Sequence, residues 1–119
     1  MTPALQELSS LDRTIHEPAR LMIMTVLYAV AEADFLYLQD ECGLTQGNLS
    51  SHLAKLEQAG YVLIEKKFKG KYPLTVCCVT SSGRRAFQEY VHKMQCWFGP
   101  RRSAIRQSEL KPGRPRRAD

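Results

Sequence analysis

Residues 45–60, TQGNLSSHLAKLEQAG, constrain this chain more than any other stretch. Thr45 is a good helix N-cap, and Leu44 and Leu49 then fall at the two positions of a hydrophobic staple. Leu49, Leu53 and Leu56 recur at helical spacing and form one stripe that must be buried. Gly60 follows as a C′ residue. The opposite face carries Gln46, Asn48, Ser50, Ser51 and Lys55, with no carboxylate before Glu57. Such groups donate to and accept from base edges and phosphates without repelling a polyanion. The stripe alone specifies burial, as in any amphipathic surface helix. The flanking segments decide between the two.

On the N-terminal side, Leu5, Leu8 and Leu11 suggest a short leading helix. Pro18 suits a first helical position and Glu17 the positive end of a helix dipole, so a helix is expected from residue 18 to about 31. Its residues are apolar nearly all round, which predicts burial on most sides, or burial by the core on one side and by a second subunit on another. This run is too short to span a bilayer, and Arg20 and Glu32 bound it. Residues 34–37 read as extended and 38–42 as a short helix stopped by Gly43. A short helix, a Gly-containing turn and a capped second helix make a helix-turn-helix.

After Gly60 the period changes. Residues 61–68 and 74–80 are β-runs rich in branched and aromatic side chains, joined by the basic hairpin 69–73. Lys66, Lys67, Lys69 and Lys71, with Tyr72 interleaved, suit phosphate contact better than solubility alone. Thr80 caps a further helix whose face of Ala86, Phe87, Tyr90, Val91, Met94, Trp97 and Phe98 is large for a small domain, and Gly99-Pro100 is expected to end it. Charge follows the same division. Residues 1–44 hold seven acids against two bases, 45–99 eight bases against three acids, and 100–119 seven bases against two acids. Positive charge thus begins where the capped polar helix begins, the electrostatic footprint of a nucleic-acid binder.

In order and spacing, LDRTIHEPARLMIM, ADFLYL, GLTQGNLSSHLAKLEQAGYV, a basic hairpin and VTSSGRRAF resemble the winged helix-turn-helix transcriptional regulators, and most closely the small MarR/ArsR-like group. The likeness covers about residues 11–94. It implies a homodimer whose paired recognition helices enter successive major grooves of double-stranded DNA, most often to repress transcription. It implies base contacts from Gln46, Gly47, Asn48, Ser50 and Ser51, with His52 either contacting DNA or packing beside it, and phosphate contacts from Thr45, Lys55, Lys67, Lys69 and Lys71. It places Leu11 and Ile15, with Phe87, Tyr90, Val91, Met94, Trp97 and Phe98 of the last helix, in the dimer interface. The metal-sensing cysteine motif of arsenic-type repressors is absent, since only Cys42 precedes the polar helix.

The expected fold is therefore α+β: a winged helix-turn-helix with additional N- and C-terminal helices over residues 1–99, and a basic, disordered tail over 100–119. Within the tail, Gly113-Arg114-Pro115 resembles an AT-hook core, with Arg114 directed into a narrow minor groove. No enzyme constellation, cofactor motif or metal site is assigned. His92 and Cys96, spaced i, i+4, are the nearest approach to a metal pair, and a redox role for one of the four cysteines is the other chemical alternative. The cysteines lack CxxC spacing and no secretory signal is seen, which suggests reduced thiols in the cytoplasm, at the nucleoid and away from membranes. Two other functional classes stay open: an architectural binder of A·T-rich DNA without a defined operator, and a winged helix used for protein interaction.

Overall fold

The structure, a computed structural model, describes residues 5–6 and 9–102, with side chains through residue 96. The elements run α1 (Pro18–Val30), β1 (Glu32–Asp34), α2 (Phe35–Cys42), α3 (Gln46–Gln58), β2 (Val62–Lys69), β3 (Tyr72–Val79) and α4 (Ser81–Arg102). The three strands form an antiparallel sheet in the order β1-β3-β2. The described residues thus make the expected α+β winged helix.

Helix α1 is the central post, packing against α2, α3, α4 and β3. Pro18 opens it, and the Glu17 carboxylate accepts the Arg20 amide at 2.7 Å, so an otherwise orphaned donor is satisfied. Ile23, Met24 and Leu27 are wholly buried, and they meet Leu38 of α2, Leu49, Leu53 and Leu56 of α3, and Cys77 of β3 in one core. The segment before α1 is anchored by Asp12. Its Oδ1 accepts the amides of Thr14 and Ile15 at 2.8 and 3.1 Å, while Oδ2 accepts the Tyr61 hydroxyl. That anchoring sets Ile15 into the core.

Two expectations are corrected. The extended segment is Glu32–Asp34, not 34–37, and α2 begins at Phe35. Asp34 is an N-cap whose carboxylate accepts the Tyr37 amide at 2.8 Å, so the helix starts one residue after it. Glu32–Asp34 becomes a strand only because it pairs with Val76–Cys78, a non-local contact. Helix α4, expected to stop at Gly99-Pro100, continues to Arg102. Pro100 lies two residues from the end, so its missing amide withdraws the helical partner of the Cys96 carbonyl alone. The basic tail beyond residue 102 lies outside the described residues.

The junction between α3 and the hairpin is fixed by Gly60, Tyr61 and Thr80. The amides of Gly60 and Tyr61 return to the carbonyls of Glu57 and Leu56 at 2.9 and 3.0 Å, a Schellman closure with Gly60 at φ +82°. Thr80 Oγ1 donates to the Gly60 carbonyl at 2.6 Å and accepts the Gly83 amide at 2.9 Å, while its own amide donates to the Tyr61 carbonyl at 3.0 Å. Gly83 packs so closely that any side chain there would run into the Tyr61 backbone.

Burial, then the hydrogen bond to Asp12, pushes the Tyr61 phenol up to about 12. The folded chain therefore favours the neutral phenol over the unfolded one, whose pKa is about 10. This contribution is complete below pH 10 and disappears as pH rises through about 12. We predict that Tyr61→Phe removes part of the alkaline loss of stability between those values. The check is the urea midpoint measured against pH for both proteins, and parallel curves would refute the assignment.

Candidate nucleic-acid interface

Helix α3 presents its polar face as the sequence suggests. Thr45 Oγ1 accepts the Asn48 amide at 3.1 Å and fixes the first turn. Thr45, Gln46, Gly47, Asn48, Ser50, Ser51 and Lys55 are all exposed, and Leu49, Leu53 and Leu56 are buried. Nothing lies within 4 Å of where a Gly47 side chain would start, so backbone is open there to a close approach. Gly43 at φ +66° ends α2 and turns the chain into the Thr45 cap.

His52 is the exception on this helix. Its Nδ1 lies 3.1 Å from an Arg20 guanidinium nitrogen and 3.8 Å from Glu17 Oε1, and its side chain is 21% exposed. Arg20 Nε in turn donates to the Thr14 carbonyl at 2.6 Å. His52 thus braces α3 against the start of α1, the packing role that the sequence leaves open beside base contact.

The hairpin β2–β3 is the wing. Its strands pair without a break from Val62↔Val79 to Lys69↔Tyr72, leaving Gly70-Lys71 as a two-residue turn. Val62 is buried and Ile64 half-buried toward the helices, so strand alternation puts Lys66 and Phe68 on the α3 side. Leu63, Glu65, Lys67 and Lys69 take the other face. A shallow cleft between α3 and the wing is lined by Gln46, Ser50, Ala54, Ile64, Lys66 and Thr75, with Glu57 among its other residues. The polar face of α3 and Lys66 therefore border one concavity. Lys67 sits 3.7 Å from Glu65 and is partly neutralised by it. All four wing lysines are exposed.

Lys66 belongs with Lys67, Lys69 and Lys71 in the basic hairpin, but the family resemblance does not place it among the phosphate contacts. The alternation starting from Val62 carries the missing signal, since it sends 64 and 66 toward α3 and 65 and 67 away. Tyr72, grouped with those lysines in the sequence, is 77% exposed, and Phe68, which the sequence reading does not single out, is 73% exposed.

The expected dimer residues divide in two. Leu11, Ile15, Phe87 and Tyr90 are 9%, 0%, 8% and 5% exposed within a single chain. Their apolar surface is already taken up by their own core, so within one chain they leave little to offer a partner. Tyr90 also bonds His16 Nδ1 at 2.8 Å, and Phe87 stacks on Tyr28 at 4.9 Å. Val91 and Met94 are half-buried and keep surface to offer. The side chains of Trp97 and Phe98, and all of Arg114, lie outside the described residues.

Cys96 Sγ lies 3.5 Å from His92 Nε2, a pair and no more. Among the described residues no three His, Cys, Asp or Glu side chains gather to hold a metal, and no helix is long and apolar enough to cross a membrane. Burial pushes the Cys77 thiol up to about 11 and raises Cys42 and Cys78 as well, so these thiols stay protonated and weakly nucleophilic at neutral pH.

Comparison with known proteins agrees with this geometry. Residues 19–97 match the family described as winged helix DNA-binding domain, and the chain belongs to that family. It is 38% identical over 76 residues to an uncharacterized protein of Methanocaldococcus jannaschii, covering 63% of this chain and 82% of that one. A transcriptional regulator homologue from Pyrococcus horikoshii superposes with TM-score 0.76 at 28% identity, over 83% of this chain and 97% of that chain. A MarR-family regulator from Silicibacter pomeroyi shares the fold with TM-score 0.60 at 17% identity, over 90% and 71% of the two chains. The chain is thus a winged-helix DNA-binding protein by family, and it shares its fold with MarR-family transcriptional regulators.

The face assignment predicts unequal roles for neighbouring lysines. Lys66→Ala should weaken DNA binding and lower the slope of log K against log[salt] by about 1. Lys67→Ala, already paired with Glu65, should lower it by about half as much or less. Salt titrations of the two variants on one fragment decide the matter, and equal slopes would sink the assignment.

Proposed function

We propose that this chain is a homodimeric, sequence-specific repressor that binds double-stranded DNA. The observation that carries the reading is the exposed, capped face of α3, with no acid before Glu57, bordering one cleft with a lysine-bearing wing. Gln46, Gly47, Asn48, Ser50 and Ser51 read base edges in the major groove, where amide and hydroxyl groups find matched donors and acceptors. Thr45 and Lys55 hold the flanking phosphates, and Lys66, Lys67, Lys69 and Lys71 carry the backbone alongside. Five residue steps separate Ile64 from Lys69, a reach of about 17 Å. That is about half a turn of B-DNA, the distance from a major groove to the next minor groove.

Two protomers joined through the far end of α4, where Val91 and Met94 keep open surface and Trp97 and Phe98 follow in sequence, present paired α3 helices to half-sites about 34–36 Å apart. Occupying such a site excludes polymerase and represses. The basic tail, residues 103–119 with Arg114, adds affinity along the backbone or in an A·T-rich minor groove, and the protein works at the chromosome in the cytoplasm.

Selection from sheared genomic DNA at physiological salt, against excess non-specific competitor, tests the reading. The expected outcome is a few fragments sharing an inverted repeat. Broadly A·T-rich fragments without a shared motif would replace the operator-binding reading with an architectural one, and no recovered DNA would point to protein interaction. On a recovered site, deleting residues 103–119 should flatten the salt slope by about 3 to 4, as for four arginine–phosphate contacts. An unchanged slope would remove the tail from the binding account.

A further inference from the structure

Phe68 is 73% exposed and takes no part in the core cluster. It stands at the end of a narrow two-stranded ribbon, where a bare aromatic ring is a liability unless something covers it. Its cross-strand partner is Pro73, on the same face. Lys66 lies on that face two residues toward the core, about 7 Å back along the strand. Lys67 and Lys69 flank Phe68 in sequence on the opposite face, and Lys71 occupies the turn. The wing tip is therefore a small apolar pair on one face of a ribbon that carries lysines behind it, below it and in the turn. The two-residue turn and the unbroken ladder leave it little slack, and proline stiffens one side. Beyond Val76, β1 no longer pairs with β3, so Pro73 sits where that strand edge is open and a missing amide is tolerated.

A ligand that suits such a tip must be a polyanion outside and apolar inside. Stacked base pairs within a phosphate backbone meet both conditions, and phenylalanine and proline are among the side chains that enter minor grooves as wedges. The strand face that carries the pair continues through Lys66 into the cleft bordered by Gln46 and Ser50. The wedge therefore lies on the side of the wing that α3 occupies. The geometry points to Phe68, backed by Pro73, as a wedge that inserts at one base step of the minor groove flanking the α3 contact and kinks the duplex. This inference rests on the DNA-binding reading above and deepens it.

The wedge also reads sequence without hydrogen bonds. Unstacking costs least at pyrimidine–purine steps, so such a step is favoured where the tip lands. A reach of half a turn places it about five base pairs outward from the centre of the major-groove contact.

The experiment uses the full chain on a selected fragment. 2-Aminopurine is substituted at successive positions, and end-to-end energy transfer reports the bend. Wild type should raise 2-aminopurine emission at one flanking step and bend the fragment. Phe68→Ala should abolish both and weaken binding by about tenfold, while Phe68→Leu keeps most of the bend. Lys69→Ala should lower affinity and salt slope but retain the bend. Both sites are exposed, and thermal melts confirm that the three variants fold. A wild type that binds the fragment with no 2-aminopurine signal, or a bend that survives Phe68→Ala, overturns the wedge and leaves the DNA-binding reading intact. A wild type that binds no selected DNA overturns both. Phe68-dependent capture on phosphatidylserine vesicles, with the base signal silent, would reassign the tip to a membrane surface and overturn the wedge as well.

Discussion

The Thr80 amide donates to the Tyr61 carbonyl across 3.0 Å, and the Thr80 hydroxyl donates to the Gly60 carbonyl at 2.6 Å. These two bonds tie the last turn of α3 to the first turn of α4 and close the base of the wing between them. Each of the other elements takes its place from that junction. Gly83 allows α4 to start against the Tyr61 backbone, and the Tyr61 ring reaches back to Asp12, which anchors the segment that seats Ile15. A DNA-binding unit made of a helix and a hairpin is useful only if the angle between them is fixed. Here that angle is set by hydrogen bonds to backbone carbonyls, whose positions do not depend on rotamer choice.

Much of this was legible in the chain because the signals were local. Thr45, Gly60 and Pro18 act through atoms within a few residues, as does Thr80 in capping α4, and the Leu49, Leu53 and Leu56 stripe needs only a helical period. The hairpin showed itself through β-branched runs around a glycine. What the chain does not show by itself shares a different cause. Glu32–Asp34 has three residues and no β-pattern of its own, and it is a strand because Val76–Cys78 lies beside it. His52 sits among polar residues facing outward, yet Arg20 and Glu17 draw it inward from 32 and 35 positions away. Leu11, Ile15, Phe87 and Tyr90 looked like surplus apolar surface until the chain folded them against one another.

The candidate site shows the same limit at finer grain. Composition found the lysines of the wing but not their faces. The difference between Lys66 and Lys67 is one step of strand alternation, and it decides which ammonium borders the α3 cleft and which pairs with Glu65. A count of positive charge treats them alike. The thiols make a parallel case, since Cys77 and Cys78 are neighbours in sequence but one is wholly buried and the other reaches the surface beside Glu32.

The two-residue turn at Gly70-Lys71 has a further consequence for how such proteins diversify. A ribbon already closed by so short a turn changes length only by adding or removing rungs. Adding one residue to each strand would reverse the inward and outward faces at the tip, exchanging the environments of lysine and phenylalanine. Adding two to each strand preserves the faces and moves the tip outward by about 7 Å. That displacement is about two base pairs. The footprint of a wing of this kind is therefore adjustable in discrete increments, so related proteins can separate their targets by the spacing between helix and wing contacts while the helix itself stays the same.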